Sequence, residues 1–231
     1  MSRVFTNTTG QRLTYTGSMG ITARPLTLLA WIKFTSIAGT KMLAYNNVSG
    51  SYIDLELQST KFYTEMQQAS GGNASTTGSP STATWYPVIM IYDGSGNVNI
   101  YALGESVTGG FAGTFNAESS PNFCIGGDSR QGAISDIDGK IAHVAMWSSA
   151  LSSGDRTSLI AGATPSTISS GTLTAYWPLT DTSLVDTVSG KTLSITGTVN
   201  SDSADNPTVG AAGIIISQLE RNTRGEFRGQ Y

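Results

Sequence analysis

The chain has 231 residues and few charges: Asp, Glu, Lys and Arg make up 13% of it, and the formal net charge is −3. No basic run is present, which argues against a nucleic-acid partner, and no apolar run approaches the ~20 residues of a membrane span. Cys124 is the only cysteine, so an intrachain disulfide is excluded and we expect a protein that folds in a cytoplasm.

Hydroxyl-bearing and small residues replace the missing charges. The sequence contains 30 Ser, 30 Thr and 27 Gly, while 39% of its residues are hydrophobic. Threonine suits exposed strand faces, and glycine and serine suit turns. The composition therefore predicts a β-rich domain that still has enough apolar side chains to fill a core.

The first half of the chain contains short runs of alternating apolar residues. These runs predict strands at 26–34, 41–45, 51–57, 61–66, 85–92 and 97–103. A stretch rich in Gly, Ser and Thr, residues 69–84, is expected to be a surface loop. Asp93-Gly94-Ser95-Gly96 predicts a hairpin turn, and Pro87 favours an edge position because proline lacks a backbone donor.

The second half predicts strands at 122–127, 139–147, 175–179 and 192–199. In the strand at 139–147, we expect Ile141, His143, Ala145 and Trp147 to share one face. One helix is predicted from Ser152 to Ala161, capped by Ser152 or Ser153 and closed by Gly162. A linker rich in Asp and Ser is expected before Pro207.

Several segments resemble laminin-G-like domains of the concanavalin A-like lectin/glucanase superfamily. They are Trp85–Gly94, Asn99–Gly104, Phe123–Gly127, Gly139–Leu151, and Ala175–Leu179 with Asp186–Lys191. The resemblance covers about residues 26–200. It implies an all-β fold, an antiparallel two-sheet jelly-roll sandwich. With the helix and the C-terminal arm that the residues themselves predict, the expected fold is a sandwich with one short helix and a C-terminal arm.

The predicted domain covers residues 1–209, and residues 210–231 are predicted to be an arm for docking or oligomerisation. The arm combines the apolar triplet Ile214, Ile215 and Ile216 with Arg221, Arg224 and Arg228. An apolar triplet in water would favour edge pairing, so a partner surface is expected to cover it. A terminal strand of the same sheet is the alternative.

Asp54 and Glu56 alternate on a predicted strand and should share one face. Paired carboxylates at such a spacing are the machinery of glycosidases. The resemblance places a further carboxylate two residues earlier in glucanases, but Tyr52 stands there. We therefore expect a solvated outer face and no enzymatic activity.

Calcium is the one cofactor that the residue types suggest. Asp128, Asp136 and Asp138 surround a loop rich in Gly and Ser, and carboxylate oxygens suit hard cations. The same residues are also ordinary turn formers. His143, the only histidine, and Cys124 have no metal-ligand partner nearby in the sequence and are expected to be structural.

Glycan binding would need aromatic side chains next to amides and hydroxyls. Tyr45, Asn46, Asn47 and Tyr63 fit this requirement. The four tryptophans are expected to pack within the sandwich instead.

The leading functional prediction is a non-enzymatic virion surface protein, such as a bacteriophage capsid decoration, head-fibre or tail component. It follows from resemblance, because jelly rolls with a similar Tyr-Trp-Pro-Leu and Asp-x-x-Ser-Gly-Lys element late in the chain occur in such particles. Other virion proteins or copies of this chain would be its partners, after synthesis in the host cytoplasm. The alternative is a carbohydrate-binding, lectin-like module, and the third possibility is a glycosidase of the glucanase type.

Overall fold

The computed structural model describes residues 2–6, 10–21, 24–37, 40–48, 51–67, 71–111, 122–128, 137–180 and 182–209. Fifteen strands within these ranges form two sheets, and every strand pair is antiparallel. The predicted fold class, a two-sheet jelly-roll sandwich, is confirmed. The predicted arm, residues 210–231, lies outside the described residues.

Sheet A has eight strands. They are β1 (Ser2–Phe5), β3 (Leu26–Phe34), β8 (Trp85–Tyr92), β9 (Asn97–Ala102), β10 (Glu105–Gly110), β12 (Gly139–Trp147), β13 (Leu173–Trp177) and β15 (Asn200–Asp202). Their order is β10-β9-β8-β3-β12-β1-β15, and β13 pairs with β12 next to β1.

Sheet B has seven strands. They are β2 (Arg12–Thr16), β4 (Thr40–Val48), β5 (Ser51–Gln58), β6 (Lys61–Gln67), β7 (Gly72–Ser75), β11 (Asn122–Ile125) and β14 (Ser194–Thr196). Their order is β14-β2-β11-β4-β5-β6-β7. Neighbours in the sheet are often distant in sequence, as a jelly roll requires.

The main core lies between the two sheets, and a second apolar layer lies on the outer face of sheet A. Strand β3 contributes to both, because Leu28 and Ile32 join the main core while Leu29 and Trp31 join the outer layer. This dual burial explains why β3 is apolar at almost every position.

One helix, α1 (Ser153–Ile160), covers the outer layer of sheet A through its buried Leu159. The Ser152 side chain caps it by accepting a hydrogen bond from the backbone N–H of Asp155. Gly162 follows with φ +94°, a conformation that favours glycine. The predicted helix is confirmed, although it is one residue shorter at each end than predicted, and a 3₁₀ turn follows at Pro165–Thr167.

Strand β12 departs from the predicted alternation. A bulge between Ala142 and Ala145 shifts the register with β3, and His143 adopts φ +49°. Beyond the bulge, Val144 turns to the main core, while Ala145 joins the outer layer with Ala142. The prediction that alternate residues from Ile141 to Trp147 share one face is therefore wrong, because the extra residue reverses the alternation.

Short polar strands were not predicted. Strand β7 lies inside the expected loop 69–84, and β15 lies inside the expected linker before Pro207. Strands β1, β2 and β10 were also not predicted. Their sequences are short or lack strong apolar alternation, and their pairing depends on partners distant in the chain.

The turn after β8 matches its prediction. The Asp93 carboxylate accepts hydrogen bonds from the backbone N–H groups of Ser95 and Asn97, and Gly96 has φ +88°. Pro87 also fits a local edge, because the pairing of β8 with β9 begins only at Ile89.

Candidate functional site

The outer face of sheet B carries a set of polar side chains on strands β5 and β6. Ile53, Leu55 and Leu57 of β5 point into the main core, so Asp54 and Glu56 lie on the opposite face. The prediction that Asp54 and Glu56 share one face of the strand agrees with this alternation. Their exposed fractions are 0% and 8%, so the expected solvated face is wrong.

Asp54 and Glu56 belong to an inner strand of sheet B. Strand β5 lies between β4 and β6, with neighbours on both sides, rather than at the edge of sheet B. The short carboxylate of Asp54 therefore lies low between flanking strands. Asp54 and Glu56 form what we term the acidic floor of the outer face.

Three further side chains border the acidic floor. In register, Tyr63 lies opposite Glu56, Glu65 lies opposite Asp54, and Tyr52 precedes Asp54 on the same strand face. Tyr52, Tyr63 and Glu65 are each half-buried, so part of each remains open to solvent. Two phenol rings and three carboxylates thus occupy two adjacent strands.

Hydroxyls and amides extend this face toward both edges of the sheet. On one side, Asn73 and Ser75 of β7 lie opposite Glu65 and Tyr63. On the other side, beyond β4, strands β11 and β2 contribute Asn122, Thr14 and Thr16. The face therefore offers hydrogen-bond donors and acceptors on both sides of the acidic floor.

Cys124 is buried on the same face. Its sulfur lies 3.8 Å from the Thr14 hydroxyl and donates to the Asn122 side-chain oxygen at 3.4 Å. The prediction of a small buried structural residue agrees with this environment.

Two carboxylates of this face, Asp54 and Glu65, affect a tyrosine buried beneath the sheet. Tyr92 is fully buried in the main core, and its hydroxyl lies 2.7 Å from the Thr64 hydroxyl. Burial raises the pKa of Tyr92, and the negative charges of Asp54 and Glu65 raise that pKa further. The phenol thus stays neutral and can hydrogen-bond within the core.

Of the predicted glycan-binding residues, the structure describes the side chain of Tyr63 alone. Tyr63 lies on the outer face of sheet B beside the acidic floor. The backbone of Asn46 is in register with Asn122 and Tyr52, whereas that of Tyr45 is in register with the core residues Phe123 and Ile53. The structure does not describe the side chains of Tyr45, Asn46 and Asn47, so glycan binding by these three residues stays a prediction.

The predicted calcium ligands are only partly described. Asp128 is fully buried, and Asp138 is half-buried with its backbone oxygen accepting from the N–H groups of Thr35 and Ser36. Asp136 lies outside the described residues. Within the described ranges, no group of three or more His, Cys, Asp or Glu side chains could hold a metal ion. Calcium binding by the three aspartates together stays a prediction.

His143 has a structural environment, as expected. Its Nδ1 atom lies 2.8 Å from the Tyr176 hydroxyl, and the two rings stack with centroids 6.1 Å apart. Burial lowers the pKa of His143 to about 4 and raises the pKa of Tyr176 to about 12. Both groups are therefore neutral near pH 7.

Three of the tryptophans pack as expected, since Trp31, Trp147 and Trp177 are buried. Trp85 is half-buried, and its Nε1 donates to the Asp205 carboxylate at 3.0 Å.

The predicted docking residues of the arm, Ile214, Ile215, Ile216, Arg221, Arg224 and Arg228, lie outside the described residues. No helix in the described ranges has the length and apolar character needed to cross a membrane.

Sequence reasoning did not include Tyr52, Glu65 and Asn122 among the binding residues. The signal was present for the first two, because the alternation in Ser51–Gln58 and Lys61–Gln67 places them beside Asp54 and Tyr63. Asn122 could not be added, since the pairing of β11 with β2 and β4 joins distant parts of the chain.

The family model of the concanavalin A-like lectin/glucanases superfamily matches residues 6–155. No curated protein matches the sequence. Solved structures share the fold at low identity, and they include proteins described as carbohydrate-binding or solved with a bound oligosaccharide.

A protein from Bacteroides ovatus described as carbohydrate-binding has a TM-score of 0.59 and 20% identity over 87% of this chain. The match spans 62% of that protein, less than two thirds of its length. Domain 4 of an extracellular arabinanase from Geobacillus stearothermophilus, in complex with arabinotriose, has a TM-score of 0.57 and 16% identity, over 69% of this chain and 76% of that one.

The CBM40 domain of a Ruminococcus gnavus sialidase, bound to α2,6 sialyllactose, has a TM-score of 0.52 and 15% identity, over 65% of this chain and 94% of that one. None of these three proteins is described as part of a virion. At these identities the likeness concerns the fold, in agreement with the two-sheet architecture and the family match. The chain belongs to the concanavalin A-like lectin/glucanases superfamily.

Proposed function

We propose that this protein is a non-enzymatic carbohydrate-binding module and that its saccharide lies across the outer face of sheet B. One observation carries the proposal: Tyr52 and Tyr63 border the acidic floor, among the amides and hydroxyls of neighbouring strands. The fold neighbours that bind saccharides support the same function.

The side chains of this face suit a sugar ring. A tyrosine ring can stack on the apolar face of a saccharide, while polar groups around it fix the hydroxyls. A carboxylate such as Glu65 accepts hydrogen bonds from sugar hydroxyls, and a charged acceptor makes these bonds stronger than neutral ones. Thr14, Asn73 and Asn122 add further polar contacts along the strands.

Binding without hydrolysis is part of the proposal. A retaining glycosidase needs a nucleophile and an acid at about 5–5.5 Å, and an inverting one needs room for a water molecule between two carboxylates. Glu56 has an exposed fraction of 8%, and its Oε1 accepts a hydrogen bond from the Gln58 side-chain amide at 3.2 Å. Tyr52 precedes Asp54 where the glucanase pattern would have a carboxylate. These features favour a supporting role for Glu56 over catalysis.

Replacing Tyr63 tests the proposed face directly. We expect Tyr63→Ala to weaken binding roughly tenfold, because the stacking surface is lost, whereas Tyr63→Phe keeps the ring and most of the affinity. Affinity gel electrophoresis against soluble polysaccharides, including arabinan, followed by calorimetry on the tightest binder, measures both effects. The same incubations should release no reducing ends.

Two results would contradict the proposal. The first is the absence of binding to every polysaccharide, and the second is equal affinity for the wild type and Tyr63→Ala when both are folded by near-ultraviolet circular dichroism. Release of reducing ends that stops in Glu56→Gln would instead identify a glycosidase.

A location on a virion, with residues 210–231 as the anchor, stays a prediction. The described structure ends at residue 209, and the reported fold neighbours do not bear on it. Glycan binding and a virion location are compatible, since an adhesive surface protein needs both a saccharide site and an anchor.

A further inference from the structure

Arg156 is held in a fixed position at the edge of sheet A. It lies in the first turn of α1, and its Nη1 donates to the Leu151 carbonyl at 2.7 Å. Its guanidinium carbon lies 4.4 Å from the centroid of the Tyr101 ring. A hydrogen bond and a cation–π contact thus orient the planar group before any ligand arrives.

This cation lacks an anionic partner within the described part of the chain. Lys33 and Lys140 both pair with Asp205, at 2.8 and 2.6 Å, but no described carboxylate lies within ion-pair distance of Arg156. Its neighbour Asp155 binds the hydroxyls of Ser152 and Ser170 instead. The guanidinium nitrogens that Leu151 leaves unused are not among the buried polar atoms, so solvent can reach them.

Neutral polar side chains lie beside Tyr101 on strands β9 and β10. Ser106 lies opposite Tyr101 in register and is exposed, and Asn99 lies two residues before Tyr101 on the same strand face. The Thr108 hydroxyl donates to the Asn99 side-chain oxygen at 2.6 Å, which leaves the Asn99 amide nitrogen as a donor. The strand positions beside Tyr101 therefore carry neutral groups that can donate hydrogen bonds.

The closest described carboxylates along these strands are already engaged. Asp93 accepts from two backbone N–H groups and from the Asn97 side chain, and Glu105 accepts from the N–H groups of Thr77 and Gly78. These bonds hold the pKa of both carboxyls below their usual values, although slight burial acts in the opposite direction. Neither carboxylate neutralises Arg156.

We propose that Arg156, with Ser106 and Asn99, forms a site for an oxyanion substituent of an acidic saccharide, a carboxylate or a sulfate ester. The free edge of the guanidinium would bind two oxygens of the anion, which is the geometry that favours arginine over lysine. The site lies on sheet A and does not require the outer face of sheet B. It therefore goes beyond the proposed function and would place a second, charge-selective contact on the same domain.

A matched pair of probes tests the site. Calorimetry at low salt would compare an oligogalacturonate with its methyl ester, which has the same backbone without the charge. We expect the wild type to bind the oligogalacturonate about tenfold more tightly than the ester, and Arg156→Gln to remove this preference. Arg156→Lys keeps the charge but loses the planar group with two parallel N–H donors, so it should retain only part of the preference.

The choice of oxyanion is tested with a sulfated galactan oligosaccharide and its desulfated form. Preference for either anionic probe, lost in Arg156→Gln, supports the proposal and identifies the favoured oxyanion. Near-ultraviolet circular dichroism of each variant checks that the fold is retained.

Three outcomes would overturn the site: no preference for either anionic probe, a preference that survives in folded Arg156→Gln, or tighter binding of duplex DNA than of both anionic saccharides. Tyr63→Ala separates this proposal from the proposed function. It should leave the Arg156-dependent preference unchanged, and a loss of that preference would place the anionic saccharide on sheet B instead.

Discussion

At the scale of single residues, His143 gives the protein a sensitivity to acid. Its pKa is lowered by burial from 6.5 to about 4 in the folded chain. Below pH 6.5 the unfolded chain therefore binds a proton that the folded chain does not. The free energy of unfolding is therefore unaffected by this residue above pH 6.5. It decreases as the pH falls toward 4, by about 3 kcal/mol in total.

Urea unfolding at pH 7 and pH 4.5 measures this loss. We expect His143→Asn to lose much less stability between these pH values than the wild type, because asparagine does not titrate and tolerates the left-handed conformation at φ +49°. The pKa values of Asp93, Asp186 and Asp205 are lowered in the folded chain. The stability that these carboxylates supply is therefore lost mainly below pH 4.5, outside the range that is compared. An equal pH dependence in both proteins would contradict this role of His143.

Other single residues show what sequence can predict. Alternation placed Asp54 and Glu56 on one face, because strand geometry is local. Their burial could not be predicted, since it depends on the strands that flank β5. The positive φ of His143 could not be predicted either, because histidine also fits an ordinary strand position and the bulge depends on the pairing with β3.

At the scale of elements, the contact between β7 and β10 closes one side of the sandwich. A Cβ atom on Gly109 would lie 1.7 Å from the backbone oxygen of Asn73, whereas one on the adjacent Gly110 would meet nothing within 4 Å. We expect Gly109→Ala to destabilise the protein by about 2–4 kcal/mol, since the strands must separate to make room. Gly110→Ala is the matched control and should change stability by less than about 0.5 kcal/mol.

Urea midpoints at constant m-value compare the two variants. Equal stability of both would show that β7 and β10 move apart at little cost. Sequence could not predict this contact, because β7 was expected to be part of a loop. The strongly apolar strands β3 and β8 were predicted with their full extents, since their alternation is visible without knowledge of their neighbours.

At the scale of the whole molecule, the residues after the matched family region complete both sheets. Strands β13 and β15 pair with β12 and β1 in sheet A, and β14 pairs with β2 in sheet B. Trp177 stacks on Phe123 across the main core with ring centroids 5.6 Å apart. Asp205 binds Lys33, Lys140 and Trp85 from three strands of sheet A.

These contacts predict that residues 1–209 unfold as one cooperative unit. A chain of residues 1–209 should melt in one transition at the midpoint of the full chain, because the described packing is then complete. A chain of residues 1–155 should show no cooperative transition, since it lacks three strands and leaves the outer apolar layer of sheet A uncovered. Calorimetry with near-ultraviolet circular dichroism measures both, and native-like melting of residues 1–155 would show instead that the matched region is a domain by itself.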